Sequence, residues 1–451
     1  MPAPRPARWP SIALGFLLTA VPFRAVAQGM PDYEKPPVNY SATPPVDAIA
    51  ALQRRLDAGL PGWKGDDRTL LAALLEELRV PVASQVVVFS KTSLQRGRIH
   101  PARPRVIYFS DDAYVGWVPG GLMEVTTIDP VLGPVFYAVD PRGFARGKPR
   151  FVRDGECLSC HGGSFVRDVP GVLVRSVFPA RSGEPLLRFG STVVDDQTAF
   201  GDRWGGWYVT GYHGEAPHRG NAFAAEAGDQ LDFTPSAARP DELSAFFDPA
   251  AYLAPTSDVV ALLILEHQAS MQNTLTRAAF AARRMIAYQR GLQRTFKEPE
   301  TDEPAYDSVR SVFNGAAQDI VDRLLFRGAA DLPAGVEGGK AFRDAYAAGA
   351  RRTATGLSLR DLDLKGRLFA RRCSPLIYSE TFASLPAPLK DVVLDRLRAA
   401  LEGEDPKSRH AYLPAAERRE ILEILRETHP EAARRWAVVQ PPRAGGRASR
   451  E

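Results

Sequence analysis

The stretch Ser257-Asp258-Val259-Val260-Ala261 marks the point at which the pattern of this 451-residue chain changes. Ser257 and Asp258 are residue types that cap the N termini of helices, and the sequence after them predicts a long helix to about Leu292. Before this stretch, short runs rich in Val, Ile, Tyr and Phe alternate with Gly, Pro and Asp, which is typical of strands and turns. The sequence therefore predicts an α+β fold, with a β-rich N-terminal half followed by an all-helical C-terminal half.

The individual elements are predicted from the same patterns. Before residue 255, we expect helices over 46–60 and 66–78, and strands over 84–89, 106–109, 114–118, 123–128, 135–139, 171–178, 186–194 and 206–210. After the long helix, further helices are expected over 308–326, 340–348, 358–371, 386–401 and 415–434. The helix over 358–371 rests on Ser358 and Asp361, which have the spacing of a capping box.

The pentapeptide Cys157-Leu158-Ser159-Cys160-His161 is the motif with the most specific chemistry. A Cys-x-x-Cys-His run is the attachment signature of c-type haem. The two thiols are spaced to form thioethers with the two vinyl groups of one haem, and His161 is then placed to give the iron its proximal nitrogen ligand. At these five residues the chain resembles the c-type cytochromes. The resemblance implies one covalent haem c, bound to Cys157, Cys160 and His161, and redox chemistry at its iron.

The resemblance does not extend to the fold. The small cytochrome c domain is all-helical and carries its motif on an N-terminal helix. Here the motif lies in the middle of the chain, between β-rich segments, and Gly162-Gly163 follows it directly. The resemblance therefore implies the cofactor and leaves the fold to the other patterns in the chain.

The N-terminal residues predict export. Arg5 and Arg8 precede a short apolar run, and Ala25-Val26-Ala27 has the small-x-small form of a signal peptidase site, so the mature chain is expected to begin at Gln28. The run is too short for a spanning helix, which needs about 20 residues, so no integral membrane span is expected after cleavage. Because the resemblance implies that haem is attached outside the bacterial inner membrane, we expect a periplasmic protein of a Gram-negative bacterium.

Five segments result from these patterns. They are a signal peptide (1–27), a Pro-rich linker (28–45), a β-rich haem-binding domain (46–255), a helical region packed on that domain (256–440) and a disordered tail (441–451).

Charge and cysteine content exclude other classes of protein. The formal net charge of +4 falls to +1 when the three arginines of residues 1–27 are removed with the leader. A chain so close to neutral has no electrostatic support for binding nucleic acid. Three cysteines in 451 residues exclude a disulfide framework, and Cys373 is expected to be a buried free thiol.

The ligand on the other face of the iron decides the function. A Met or His ligand suits electron transfer, whereas an open position permits ligand binding and catalysis. Our order of candidates is His213, then His267, then His218, then Met271. A histidine on an apolar helical face, such as His267, is otherwise a core residue that bonds to a carbonyl group.

The segment 203–221 is expected to contribute more than its histidines. It combines aromatic residues with glycines, which allow close approach of the backbone to a flat macrocycle. Trp207 is expected to pack against the haem, and Arg203 or Arg219 to pair with a haem propionate, because guanidinium matches carboxylate geometry. The predicted metal ligands are thus His161 together with His213 or His267.

Two redox functions remain open from the sequence. The first is an exported monohaem c-type cytochrome that exchanges single electrons with a redox partner protein or a small-molecule donor or acceptor. The second is a single-haem periplasmic oxidoreductase, peroxidase-like or otherwise oxidising a small molecule. Its distal pocket would lie between the two halves, with His267 and Gln268 as polar groups. The dihaem peroxidase pattern is not met, because the chain has no second Cys-x-x-Cys-His.

A third reading of the motif is not redox chemistry at haem. Cys157 and Cys160 can instead bind zinc with His161 and a distant Cys373 or His213, or act as a dithiol pair as in thioredoxin-like proteins. The second Cys-x-x-Cys pair of a zinc ribbon is missing, and Gly162-Gly163 argues against a helix starting at the motif. The sequence also has no Walker-type phosphate loop and no Gly-x-Ser-x-Gly nucleophile elbow.

Overall fold

A computed structural model gives the structure of residues 30–60, 63–147, 149–403, 405 and 407–437. The expected signal peptide (1–27) and the expected tail (441–451) lie outside the described residues. Within them, no helix is both long enough and apolar enough to cross a membrane.

The β-rich half is built on an antiparallel sheet of seven strands. The strands of the chain, in order, are β1 (Val86–Val88), β2 (Arg105–Phe109), β3 (Ala113–Trp117), β4 (Met123–Asp129), β5 (Gly133–Val139), β6 (Val152–Arg153), β7 (Arg175–Val177), β8 (Ser191–Val193), β9 (Trp207–Tyr208), β10 (Tyr212–His213), β11 (Ala224–Ala227), β12 (Gln230–Phe233) and β13 (Val336–Glu337). The large sheet has the order β6-β5-β4-β3-β2-β1-β9, and the pairs β7–β8, β10–β13 and β11–β12 form separate ribbons. Strands β1 to β5 match the predicted runs to within two residues at each end.

The two faces of this sheet carry different side chains, because successive residues of a strand point to opposite sides. Val106, Val115 and their neighbours face the first helices and form one hydrophobic cluster with Leu52 and Leu71. Val88 and Tyr114 face the other way and belong to a cluster that includes Val174, Trp207 and Leu265. The inner strands β1 and β3 are buried along their whole length, as expected for strands covered on both faces.

The helices also match most of the predicted ranges. They are α1 (Ala48–Asp57), α2 (Asp67–Glu77), α3 (Arg142–Ala145), α4 (Leu158–His161), α5 (Val259–Phe296), α6 (Asp307–Leu324), α7 (Lys340–Ala348), α8 (Glu380–Ala383), α9 (Ala387–Glu402), α10 (Ala415–Thr428) and α11 (Pro430–Arg435). The carboxylate of Asp258 caps α5 by accepting from the backbone of Val260 and Ala261, at 2.9 Å each. The long predicted helix is therefore confirmed, with its cap.

The helix predicted over 358–371 is wrong. The local capping bond exists, since the Ser358 amide donates to the Asp361 carboxylate at 3.0 Å. No helix follows it, because Leu364 and Gly366 have φ angles of 59° and 103°. These left-handed conformations stop helix propagation, and the segment forms turns and isolated bridges instead, with Leu359, Leu364 and Phe369 buried.

The segment expected as a Pro-rich linker contributes to the core where it is described. Tyr33, Val38 and Tyr40 are buried in the cluster beneath the sheet. The guanidinium of Arg153 lies 4.4 Å from the centre of the Tyr40 ring. The burial of these residues depends on contacts with distant strands, which the proline content of the segment does not indicate.

Within the described residues, the C-terminal half consists of helices, the short strand β13 and irregular segments, the longest of which covers 349–374. Helices α5, α6, α9 and α10 enclose a second large cluster, which contains Phe313, Leu394 and Ile424. Cys373 lies in this cluster as a buried free thiol, and burial raises its pKa. The architecture is α+β, with α5 lying against both the sheet and the helical half.

Candidate functional site

The Cys-x-x-Cys-His motif forms a single helical turn. A 3-10 turn over Gly155–Cys157 leads into α4, and the carboxylate of Asp154 caps the segment at the Glu156 amide, 2.9 Å away. The turn ends at Gly162, where a Cβ atom would lie 2.6 Å from the hydroxyl oxygen of Tyr33. A larger residue here would displace the Tyr33 side chain, so glycine allows the N-terminal segment to pack closely against the motif.

The three motif residues that carry the chemistry line one cavity. Cys157 is half-buried and Cys160 is exposed at its edge. With His161, both cysteines border a cavity that is open to solvent and has an enclosed volume of about 160 Å³. Small-molecule and cofactor pockets typically measure roughly 300–1,000 Å³, so a group of the size of haem would need the space at the open mouth as well as the enclosed part of this cavity.

The floor of the cavity is one face of the sheet. Tyr114 pairs with Thr126, which pairs with Phe136, so one row of cavity-lining side chains crosses β3, β4 and β5. Gly116 lies in the next row, between Ile107 and Glu124. The opposite wall is formed by residues 172–175, and Leu265 adds a contact from α5.

Gly116 makes room for a charged side chain on this floor. A Cβ atom on Gly116 would lie 2.2 Å from the guanidinium of Arg105. Arg105 crosses the glycine and donates from Nε to the Glu124 carboxylate at 2.7 Å. Although burial acts to raise the pKa of Glu124, the Arg105 charge and the neighbouring hydrogen bonds hold it below its ordinary value. The two charges therefore neutralise each other in the cavity floor.

His161 is held in the form that a metal requires. Its Nδ1 atom lies 2.8 Å from the carbonyl oxygen of Gly171, and the Gly171 amide donates back to the His161 carbonyl at 2.9 Å. A carbonyl oxygen accepts only, so Nδ1 carries the proton and Nε2 keeps a free lone pair. Burial lowers the pKa of His161, which favours the neutral ring. The Phe136 ring packs against the imidazole at a centroid distance of 4.7 Å.

Asn273 on α5 fixes the chain beside this carbonyl. Its Oδ1 accepts from the Val172 amide and its Nδ2 donates to the Val172 carbonyl, both at 2.8 Å. A Cβ atom on Gly171 would lie 2.5 Å from the same Oδ1. Sequence reasoning missed this contact, because the two partners are 101 positions apart and neither belongs to a recognisable motif.

Arg175 is a second residue that the sequence did not single out. It lines the cavity at the start of β7, and the indole of Trp207 donates to its backbone carbonyl at 2.7 Å. Trp207 itself also lines the cavity.

The structure does not bring Arg203 or Arg219 to the cavity wall. Arg203 is buried in an ion pair with Glu266, at 2.6 Å from Nη1 to Oε2. Arg219 pairs with Asp202 and lies over the ring of Phe178 at 4.5 Å. Both guanidinium groups are already neutralised, so neither has a free charge for a propionate.

His213 and His218 form a buried pair away from the cavity wall. Their ring centroids are 4.3 Å apart. The two nitrogens of His213 face the carbonyl oxygens of Ala216 and Ala238, at 3.2 and 3.3 Å. Burial and the neighbouring His213 lower the pKa of His218 to about 3, so this ring is neutral.

His267 is engaged in the helical half. Its Nε2 lies 2.7 Å from Ser374 Oγ and its Nδ1 lies 3.4 Å from Asp196 Oδ2, while Phe326 stacks on the ring at 4.2 Å. The linked side chains of Asp196, His267 and Ser374 have the residue types of the Asp-His-Ser triad of hydrolases. Ser374 is fully buried, and its oxygen also accepts from the Leu376 amide at 3.3 Å, so it has no surface open to a substrate. Met271 is likewise buried, in the helical core.

Two further observations describe the surroundings of the motif. Among the described residues, the cavity wall contains no methionine and no histidine other than His161. In the same ranges, no group of three or more His, Cys, Asp or Glu side chains is arranged to hold a metal ion. A haem iron needs only one such ligand from the chain, because the porphyrin supplies four nitrogens.

No family model matches the chain, and comparison with curated proteins and with solved structures gave no significant match.

Proposed function

We propose that this chain is an exported c-type haem protein that exchanges single electrons through one covalently attached haem. The observation that carries the proposal is the arrangement of the motif. Cys157, Cys160 and His161 border one cavity, and the Gly171 carbonyl holds the imidazole with Nε2 free. When bound there, haem supplies a one-electron redox centre at its iron.

The residues of the cavity fit such a group. Cys157 and Cys160 are free thiols with no disulfide between them, as thioether formation requires. Much of the wall is apolar, with Ile107, Phe136 and Trp207 among its members, and this excludes water from a macrocycle. Cys160 is exposed, so a haem tethered to it would be accessible to a partner protein or a small donor for electron exchange.

The role of His161 in this proposal follows from its hydrogen bonds. A metal-ligating histidine usually donates its other ring N–H to a carbonyl or carboxylate, which fixes the tautomer and the ring orientation. The Nδ1–Gly171 bond does this with a backbone oxygen. A backbone carbonyl carries no full charge, so it orients the ring without adding the electron density that a carboxylate partner would provide.

A single-haem oxidoreductase is the second candidate, and a specific observation favours it. The described wall of the cavity offers no Met and no His other than His161, so His161 alone would hold a haem iron there, and the group would then be able to bind a small exogenous ligand. His213 and His267 are both held elsewhere by carbonyl, carboxylate or hydroxyl groups. The sheet floor and the wall at 172–175, with Leu265 of α5, would then shape the substrate pocket.

One preparation tests the proposal. The chain with its leader is expressed in a strain competent for c-type maturation, and the periplasmic fraction is purified. We expect haem that resists acid–acetone extraction, a c-type pyridine haemochrome band, and an N terminus at Gln28. Cys157→Ala should lose the covalent colour, whereas Ser159→Ala, which changes only a spacer residue, should keep it. A colourless wild-type protein under these conditions refutes the proposal.

The iron spectrum separates the two candidates. A high-spin spectrum that changes on addition of azide is expected if the position opposite His161 is open. A low-spin spectrum that becomes high-spin in His213→Ala or His267→Ala supports the carrier with a histidine ligand instead, and would show that the chain rearranges around the bound haem.

A further inference from the structure

Arg175 is distinguished from the other cation of the cavity by the absence of a counter-charge. Arg105 and Arg175 are the two cationic side chains on the described wall, and Arg105 is neutralised by Glu124. Arg175 forms no ion pair with any residue that the structure describes. Its Nη2 donates to the Ser191 hydroxyl at 2.8 Å, and that hydroxyl is neutral.

The Nε atom of Arg175 is the most informative part of this group. It is shielded from solvent and has no hydrogen-bond partner within the described ranges. Buried donors on charged groups are costly to leave unpaired, and the great majority in folded proteins are paired. The side chain as a whole is half-buried and lies against the ring of Phe165, with 4.9 Å from its guanidinium carbon to the ring centre.

The backbone of Arg175 is held in place from two sides. It pairs with Val193 across the β7–β8 ribbon, and its carbonyl accepts from the Trp207 indole at 2.7 Å. The guanidinium is thus presented from a fixed strand and braced by Ser191 and Phe165. A braced arginine loses little conformational freedom when it binds a ligand, which is the arrangement that favours binding.

We propose that Arg175 binds a carboxylate group inside the cavity. The edge of a guanidinium that carries Nε and one Nη matches the two oxygens of a carboxylate, and this pairing would satisfy the orphaned donor. The carboxylate has two sources: a propionate of the tethered haem, which rests on the proposed function, or the carboxylate of a free small substrate. The chemistry recognised by Arg175 is the same in both.

The test uses the mature chain purified with and without c-type maturation, as wild type, Arg175→Gln and Arg181→Gln. Arg181 is exposed on the loop that connects the same two strands and forms no ion pair among the described residues, so it controls for the loss of one charge. The probe is sodium acetate at constant ionic strength. Binding is followed through the arginine Nε–H resonances in a ¹H–¹⁵N spectrum, with the Arg175 signal assigned by its absence from Arg175→Gln.

We expect acetate to shift the Arg175 resonance in the haem-free wild type and in Arg181→Gln. In Arg175→Gln we expect its affinity, read from the Trp207 indole resonance, to fall by about tenfold to a hundredfold, as for the loss of a charge-assisted bond. If the propionate is the natural occupant, the haem-loaded wild type no longer binds acetate. Its midpoint potential then varies less with pH between 5 and 8 than that of Arg175→Gln. If a free substrate is the occupant, the haem-loaded wild type still binds acetate.

The proposal is overturned if acetate leaves the Arg175 resonance unchanged in the haem-free protein and Arg175→Gln and Arg181→Gln have the same dependence of potential on pH. If the chain carries no haem after c-type maturation but binds acetate through Arg175, the proposed function is refuted and the carboxylate site at Arg175 is supported. The two failures are therefore distinguishable.

Discussion

Asn273 holds the backbone of Val172 from both sides, with its amide oxygen on the N–H and its amide nitrogen on the carbonyl, each at 2.8 Å. The residue before Val172 is Gly171, whose carbonyl accepts from His161. A helix of the C-terminal half thus fixes the strand-like segment that orients the candidate iron ligand.

Replacing Asn273 by Ala should loosen this segment and destabilise the fold. Two backbone groups of Val172 lose their partners, which costs about 1–3 kcal/mol for a buried group left unpaired. We expect a lower midpoint in urea unfolding and, in the haem-loaded protein, a shift in the potential of the iron. Asn314→Ala is the matched control, because Asn314 is exposed and only accepts one bond from Arg396. Equal unfolding midpoints and equal potentials in the two variants would show that Asn273 does not fix the segment that orients His161.

Gly116→Ala should damage the cavity floor. The new Cβ would lie 2.2 Å from the Arg105 guanidinium and would displace it from Glu124. Overpacking of this kind costs about 1–3 kcal/mol. We expect a less stable protein that incorporates less covalent haem per chain, measured by the pyridine haemochrome assay. Gly97→Ala adds a Cβ with no atom within 4 Å and should behave as the wild type. Full haem content in Gly116→Ala would argue that the cofactor does not use this floor.

Arg203→Ala and Arg219→Ala should differ in stability and agree in haem content. Arg203 is paired with Glu266 in a buried site, and removing one partner of such a pair costs about 3–5 kcal/mol. Arg219 and Asp202 lie nearer the surface, where a pair is worth about 0–1 kcal/mol. Thermal unfolding measures the expected difference in stability, and absorbance at the Soret band measures the haem content of the two variants. A selective loss of haem in Arg219→Ala would restore that residue as a propionate partner.

The acid stability of the fold should depend on Asp196. Burial acts to raise the pKa of this carboxyl, but its bonds to His267 and Arg323 outweigh that effect and lower it to about 2. Between this value and the ordinary 3.8 the unfolded chain binds more protons than the folded chain. Stability from this group is therefore present above pH 3.8 and is lost as the pH falls towards 2, by roughly 2–3 kcal/mol.

The measurement for Asp196 is urea unfolding as a function of pH. Asp196→Asn should be less stable than the wild type at neutral pH and should lose less stability on acidification. Asp232→Asn, on the exposed ribbon β11–β12, serves as the control and should follow the wild type. A slope in Asp196→Asn equal to that of the wild type would show that another carboxylate controls acid unfolding.

Local patterns predicted most of the fold. The strands β2 to β5 and the helices α1, α2 and α5 each follow from residues that lie next to one another in the chain. The failure at 358–371 has a local cause too, since a capping bond at Ser358 does not by itself sustain a helix past Leu364. The packing of the expected linker was missed, because the burial of Tyr33 and Tyr40 depends on contacts with distant strands.

The candidate site was predictable only in part. The motif named Cys157, Cys160 and His161, and the aromatic segment named Trp207, all of which border the cavity. Arg203 was a reasonable choice from the sequence, but the charge that neutralises it comes from Glu266 on another element. Arg175 could not be singled out for the same reason, since its lack of a counter-charge is visible only when every neighbour is placed.

The pair of hydrogen bonds between Asn273 and Val172 also has a consequence for the order in which the chain acquires its structure. The single turn of the motif needs only its own neighbours in sequence, whereas its anchoring partner is 101 positions further along. Contacts of such long separation form late, because a large loop must close first. We therefore expect the thiols of Cys157 and Cys160 to stay accessible to an enzyme that attaches haem until α5 packs against the sheet. The packing of α5 would then close the cavity around the attached group.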